Sequence, residues 1–270
     1  MVAGGKLAYN ESRCSALICR HTPNHSDQDY DMNEILRRFV AICLQELIWD
    51  GDFLGRENLP EEGPAVFVSN HLEALGPIAV GASLPLSAYF WIHEEMLEPT
   101  MAADYLRRDF VESQLHIPAP YSLTLARAVS KISVPLLRAT GGIPVHHLAE
   151  QRLETHRCTV DLLESGKFVL IFPEDPAQPP DPRTKMSTFQ KGFTRLGELY
   201  YQRTHDVLRF YPVMVHAGER IVRLERPIRY NPMNSQTSER MRIKHALEST
   251  IKGMYLEAES RRAMYMPMTN

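Results

Sequence analysis

Short apolar runs alternate with amphipathic stretches along most of the chain, and this alternation constrains the fold more than any other feature. Apolar runs of strand length occupy residues 65–69, 88–92, 168–172 and 207–215. Helical periodicity is present over residues 121–138, 148–165, 188–202 and 237–262. Strands that alternate with helices pair in parallel, because each helix returns the chain to the starting edge of the sheet. The sequence therefore predicts an α/β fold, a single layered domain with a mostly parallel central sheet flanked by helices.

The predicted domain does not extend to either end of the chain. Residues 1–31 have little periodic apolar pattern and are predicted to form a flexible tail, and residues 263–270 form a second tail. The domain is predicted over residues 32–262, since 270 residues, 44% of them hydrophobic, suffice for one large α/β domain. No apolar run has the length of a signal-peptide core or of a membrane-spanning helix, so we expect an intracellular protein without a membrane span.

Residues 34–49 are predicted to form an amphipathic N-terminal helix. One face carries Leu36, Phe39, Val40, Cys43 and Leu47, and another carries Arg37, Arg38, Ala41 and Gln45. Two interpretations of this helix are open. It packs on the core of the domain, or it lies in a membrane interface with its arginines at the lipid head groups.

Composition and spacing exclude several classes of function. The formal net charge of -3 makes nucleic acid an unexpected partner. The four cysteines contain no CxxC pair, so neither a zinc site nor a disulfide framework is predicted. His146 and His147 are adjacent, and adjacent strand residues face opposite sides of a sheet, so they rarely share one metal ion. We therefore expect no metal.

Two segments that follow predicted strands carry reactive side chains. His71 ends the segment Ser69-Asn70-His71, where a neutral imidazole can take a proton from a hydroxyl near pH 7. A histidine at such a position is also often structural. Glu174 and Asp175 follow the most apolar strand and open a proline-rich loop. Two adjacent carboxylates there can orient a base, bind a metal or remain solvated, and the residues alone leave these alternatives open.

Four short blocks follow one another between residues 50 and 230. They are Ser69-Asn70-His71; Gly141, Ile143, Pro144 and Val145; Phe172-Pro173-Glu174; and Tyr211-Pro212-Val213. In this order and spacing the blocks resemble those of the phospholipid/glycerol acyltransferase family, which includes lysophosphatidic acid acyltransferases. The resemblance implies a glycerol-3-phosphate acyltransferase-like fold.

The resemblance also implies a reaction. His71 would be the general base that activates a hydroxyl of a glycerolipid-type acceptor such as lysophosphatidic acid. That hydroxyl would attack the thioester of acyl-CoA or acyl carrier protein, with no cofactor besides this donor. The residues expected to bind substrate are Asn70, Gly141, Ile143, Pro144, His147, Phe172, Pro173, Glu174, Arg183, Lys185 and Lys191. Lipid substrates imply peripheral association with the membrane, expected at its cytoplasmic, inner face.

The chain departs from the family pattern at three places. Gly76 stands where the family has the aspartate that orients the histidine, and His147 stands where it has an arginine. Residues 175–177, Asp-Pro-Ala, replace Gly-Thr-Arg. We expect Glu73 or Asp175 to act as a catalytic carboxylate behind His71 in place of the missing aspartate. Two alternatives follow from the departures: a non-catalytic lipid or acyl-thioester binding protein, and a hydrolase on the same scaffold.

Overall fold

The computed structural model describes residues 27–72, 75–113, 115–146 and 149–265, with the backbone alone for residues 27–33, 109, 149–151 and 265. The helices are α1 (Asp27–Leu44), α2 (Leu75–Ser83), α3 (Glu94–Leu97), α4 (Pro99–Leu106), α5 (Tyr121–Ala139), α6 (Ala149–Glu164), α7 (Arg195–Thr204) and α8 (Gln236–Tyr265). The strands are β1 (Asp52–Leu54), β2 (Ala65–Ser69), β3 (Ala88–His93), β4 (Ile143–Val145), β5 (Phe168–Ile171), β6 (Arg209–His216), β7 (Ile221–Leu224) and β8 (Ile228–Arg229). Short π-helical segments, Gln45–Trp49 and Arg107–Glu112, extend α1 and α4.

The strands form one sheet in the order β1-β7-β6-β2-β5-β3-β4, with β8 beside β6. Strand β2 lies between β5 and β6 and is parallel to both, and β3 is parallel to β5 and to β4. Only β7 and β8 run antiparallel to β6 among the described strand pairs. The sheet is therefore mostly parallel, which confirms the predicted α/β architecture. The carboxyl ends of β2, β5, β3 and β4 consequently meet at one edge.

Both faces of the central strands are covered by helices. Val66 and Val68 of β2 pack into one core, together with side chains of α6, α7 and α8. Ala65 and Phe67 face the opposite core, where α2 and Trp49 cover the sheet. Burial on both faces explains why β2 reads as an uninterrupted apolar run. Each fully buried Val or Phe contributes about 1.5–3 kcal/mol to folding, so the site at the strand ends rests on a rigid base.

Helix α1 begins at Asp27, within the segment predicted to be a tail, and packs on α2. Its Glu34 carboxylate accepts a hydrogen bond from the Ser87 hydroxyl, and the Arg37 guanidinium lies 4.6 Å from the centre of the Tyr89 ring. The opposite side of α1 and its π-helical extension is an apolar stripe formed by the exposed side chains of Ile35, Phe39, Ile42, Leu47 and Ile48. One side of this helix therefore packs on the domain, as the first interpretation predicts, and the other side is exposed. No described helix is long and apolar enough to cross a membrane.

Candidate active site

His71 lies at a strand-to-helix turn, held in place by the residue before it. The side-chain amide of Asn70 donates to the carbonyl of Val215 at 2.9 Å and accepts from its N–H at 2.8 Å. Asn70 is fully buried. Its two side-chain hydrogen bonds extend the β2–β6 ladder beyond the end of β2. Leu72, with a φ of 42°, then turns the chain sharply toward α2. His71 is left exposed at the carboxyl edge of the sheet.

Glu174 connects this turn to the loop that follows β5. One carboxylate oxygen accepts from the His71 backbone N–H at 2.7 Å, and the other accepts from the Ser187 N–H at 2.7 Å. Burial raises the pKa of Glu174 above its ordinary value of 4.5, and the two backbone hydrogen bonds act in the opposite direction. Both oxygens of Glu174 therefore position the main chain around His71.

Residues 173–191 form a ribbon that stands beside His71. Asp175 N–H donates to the Thr188 carbonyl at 2.9 Å, and Gln190 N–H donates to the Pro173 carbonyl at 2.7 Å. Phe189 is 2% exposed and anchors the returning limb in the core. The ribbon therefore has a fixed base, and its tip projects from the sheet edge.

The two carboxylates expected to orient the His71 imidazole are those of Asp175 and Glu73. The Asp175 carboxylate accepts from the Ala177 N–H at 3.1 Å and from the Gln190 amide at 3.4 Å, both within the ribbon. The Phe172 ring meets the His71 ring edge-on, with the ring centres 5.3 Å apart. Glu73 lies outside the described residues. Phe172 thus packs against the His71 ring, and Glu174 holds the His71 backbone N–H.

The Gly76 position leaves no room for a side chain. Its N–H donates to the His71 carbonyl at 2.9 Å, which closes the turn tightly. A Cβ on Gly76 would lie 1.9 Å from the His71 carbonyl oxygen and 2.8 Å from that of Asn70. An aspartate cannot occupy this position without a shift of the turn that carries His71.

The second block does not converge on His71. Gly141 precedes β4 and therefore lies at the amino edge of the sheet, beside Tyr89. Ile143 is fully buried, and the Pro144 carbonyl accepts from the Thr155 hydroxyl at 2.8 Å inside the domain. His147 lies outside the described residues.

Three exposed cations, Arg183, Lys185 and Lys191, belong to the ribbon. Asp181 shapes its tip, because its carboxylate accepts from the N–H groups of Thr184 at 3.0 Å and Arg183 at 2.8 Å. These two hydrogen bonds, that of Thr184 first, lower the pKa of Asp181. None of these three side chains forms an ion pair with a described residue.

The strand register brings further polar side chains to the same edge. Val68 of β2 pairs with Ile171 of β5. Phe90 of β3 pairs with Leu170 of β5, so the next residues, Trp91 and Ile171, lie level with each other. Trp91 in turn pairs with Ile143 of β4. Three residues beyond this level the four chain segments carry, in spatial order, His71, Glu174, Glu94 and His146. We call these four residues the edge row.

Two members of the edge row were not predicted as site residues. The Nδ1 atom of His146 lies 2.5 Å from a carboxylate oxygen of Glu94. From the sequence, His146 is a candidate only for metal binding, and the described residues contain no group of three or more metal-binding side chains. The signal for the pair is the register between β3 and β4, which local sequence patterns do not contain.

Comparison with known proteins agrees with this architecture. No protein-family model matches the chain, and no curated protein sequence matches it significantly. Among solved structures, the 1-acyl-sn-glycerophosphate (LPA) acyltransferase PlsC from Thermotoga maritima matches with a TM-score of 0.53. The chain has the fold of this acyltransferase. The alignment covers 90% of this chain and 87% of PlsC at 13% identity, so the likeness is one of fold.

Proposed function

We propose that the protein is an acyltransferase that moves a fatty acyl group from acyl-CoA or acyl carrier protein to a hydroxyl of a glycerolipid-type acceptor. His71 is the general base. The observation that carries this proposal is the bond from the His71 backbone to Glu174, on the fold of an acyltransferase. This hydrogen bond holds an exposed imidazole at the carboxyl edge of the sheet, where α/β folds build their sites.

The proposed reaction uses the substrate hydroxyl as the nucleophile. The His71 imidazole takes the proton of the acceptor hydroxyl, and the oxygen attacks the thioester carbonyl carbon. The carbon–sulfur bond breaks, the ester remains on the acceptor, and the departing thiolate receives a proton from the imidazolium. The products are an acylated lipid and a free thiol, and no cofactor is consumed.

The surrounding residues have separate proposed roles. Glu174 positions His71 through the backbone. Glu73 or Asp175 orients the imidazole. The exposed cations Arg183 and Lys185, together with Lys191, bind phosphates of the acyl donor, because Lys and Arg side chains form charge-assisted hydrogen bonds with phosphate oxygens.

The apolar stripe of α1 supports peripheral membrane association. Ile35, Phe39 and Ile42 are 67%, 63% and 61% exposed, spaced to lie along one side of the helix. An exposed apolar face of a helix lies favourably at the boundary of head groups and acyl chains. The double variant Phe39→Asn/Ile42→Asn should bind liposomes several-fold more weakly. The matched variant Ile132→Asn, at a position 73% exposed on α5, should bind like the parent. Equal binding by all three proteins would contradict the proposal.

Acceptor-dependent thiol release is the experiment for the reaction. Purified protein, acyl-CoA and a panel of lysolipids are mixed, the free thiol is followed, and the acylated lipid is identified by mass spectrometry. We expect thiol release that requires acceptor and matches the acylated lipid formed. Thiol release that does not require acceptor would indicate a hydrolase instead.

A second candidate is a non-catalytic acyl-thioester or lipid binding protein. It is favoured by the closed position at Gly76, which excludes a carboxylate from the place that the family pattern assigns to it. Saturable binding of acyl-CoA or lysolipid without thiol release over the whole acceptor panel would support this candidate over the enzyme.

A further inference from the structure

Helix α5 carries an exposed apolar side that is separate from the stripe of α1. Tyr121 and Ile132 are 72% and 73% exposed. Ala128 and Pro135 are also exposed, and Leu125 is half-buried. These positions recur at intervals of three or four residues, so they lie along one side of the helix. The opposite side is buried in the domain at Ser122, Ala126, Ser130 and Val134.

One flank of this apolar side is cationic. Arg127 and Lys131 are exposed one turn apart, and neither forms an ion pair with a described residue. The sequence of α5 contains no acidic residue that could compensate them. Such a surface fits an occupant that is apolar in its centre and acidic along one side. We call the whole surface the α5 patch: Tyr121, Leu125, Ala128, Ile132, Pro135, Arg127 and Lys131.

A lipid surface and a second copy of this chain fit the α5 patch less well. A lipid surface holds a helix in proportion to the apolar area that it buries. The α5 patch has two strongly exposed large apolar side chains, whereas the stripe of α1 has five. In an antiparallel pair of two copies, the cationic flank of one α5 would face the same flank of the other. Like charges at facing positions oppose such a pair, so an acidic protein is the better occupant.

We infer that the α5 patch docks an acyl carrier protein, and that this carrier supplies the acyl group. The inference rests on the proposed acyltransferase function and selects between its two donors. Of these donors, only the carrier protein has a folded surface. An acidic amphipathic helix on that surface would lay its apolar side on Ile132 and its carboxylates beside Arg127 and Lys131.

The position of α5 suits delivery of a tethered thioester. The Arg138 guanidinium of α5 donates to the Leu97 carbonyl of α3 at 2.8 Å, and α3 follows β3 at the carboxyl edge of the sheet. Only β5 separates β3 from β2, so roughly 10 Å lie between β3 and the strand that precedes His71. A carrier protein holds its thioester on a long, flexible arm, so it can dock beside this edge while the thioester reaches His71.

The test compares two donors that carry the same palmitoyl chain, acyl carrier protein and CoA, with one lysolipid acceptor. The acylated lipid is quantified by mass spectrometry. Arg127→Glu/Lys131→Glu should raise the KM for the carrier donor about tenfold or more, and Ile132→Asn should raise it several-fold. The KM for palmitoyl-CoA should stay within about twofold of the parent value in both variants, because CoA does not contact α5. Arg157→Glu reverses an exposed arginine on α6 and should change neither KM. Thermal unfolding establishes that each variant is folded.

Direct binding separates failure of the inference from failure of the proposed function. Binding of the palmitoyl carrier protein is measured by calorimetry with the parent and with Arg127→Glu/Lys131→Glu. Acylated lipid from neither donor, with carrier binding by the parent alone, would overturn the proposed function and retain the docking surface. Without that binding, both would be overturned.

A KM that changes equally for both donors, or for neither, would overturn the inference and leave the proposed function intact. The inference would also be overturned if the double variant lost liposome binding, which would indicate a lipid surface. Loss of a dimer of the parent, measured by light scattering, would overturn it in favour of a second copy.

Discussion

Introducing the aspartate of the acyltransferase sequence pattern by Gly76→Asp should damage the protein and not improve it. The nearest atom to a Cβ on Gly76 would be the His71 carbonyl oxygen at 1.9 Å, whereas ordinary contact begins at 3.4 Å. The turn would have to open by about 1.5 Å, an overpacking that costs about 1–3 kcal/mol. The Gly76 N–H bond to the His71 carbonyl, 2.9 Å long, would be lost at about 1 kcal/mol more.

These costs sum to about 2–4 kcal/mol, which lowers Tm by about 4–7 °C in a chain of this size. His71 moves with the turn, so acceptor-dependent thiol release should fall. The smaller change Gly76→Ala should cause most of the same loss, because the clash begins at Cβ.

Gly81 offers a matched control in the same helix. A Cβ there would lie 3.5 Å from the Phe90 ring, which is ordinary contact. Gly81→Ala should therefore raise the free energy of unfolding by about 0.5–1 kcal/mol through helix propensity. The three variants are compared by thermal unfolding and thiol release. A higher rate for Gly76→Asp than for the parent, at unchanged Tm, would refute this reasoning.

Three further predictions concern the ribbon. Glu174→Gln removes one of two acceptors for backbone N–H groups, so the free energy of unfolding near neutral pH should fall by about 1–3 kcal/mol. Because burial raises the pKa of Glu174, its carboxyl contributes stability that is present below pH 4.5 and is lost as the pH rises through the raised pKa. Urea unfolding between about pH 4 and pH 7 should show this fall in the parent and lack it in Glu174→Gln; a contribution that grows with pH would contradict the assignment. The double variant Arg183→Gln/Lys185→Gln should raise the KM for acyl-CoA several-fold with little change in kcat. The control is Arg157→Gln, because Arg157 is an exposed arginine on α6. An unchanged KM in the double variant would show that neither cation binds the acyl donor.

The sheet and the position of His71 could be predicted because local signals determine them. The run at residues 65–69 is apolar at every position, and the sheet buries all five side chains. A polar Asn-His pair directly after such a run must lie at the strand end, since it cannot continue a strand buried on both faces. This is where the structure has the turn.

The role of Glu174 could not be predicted, because it depends on contacts distant in sequence. Its partners are the N–H groups of His71 and Ser187, one of them 103 residues away. Periodicity also failed to separate the two sides of α1. The periodicity places Phe39 on one face with Val40, yet Phe39 is exposed, because the packing of α1 on α2 decides which side is buried.

The predicted helix at residues 188–202 starts later in the structure, at Arg195. The residues before it are held by the ribbon, where Gln190 N–H donates to Pro173 and Glu174 pairs with Phe189. Tertiary pairing thus overrides a helical pattern at this point. The same pairing places Ser187 beneath Glu174 and so builds the site.

The catalytic role proposed for His71 is tested by acceptor-dependent thiol release from acyl-CoA with the parent protein and with His71→Gln. Glutamine keeps a polar side chain on the turn and cannot act as a base near neutral pH. We predict measurable release by the parent and a loss of about 10²–10⁴-fold in kcat for His71→Gln, with Tm within about 2 °C of the parent. Equal rates for the two proteins, at equal stability, would contradict the assignment of His71 as the general base.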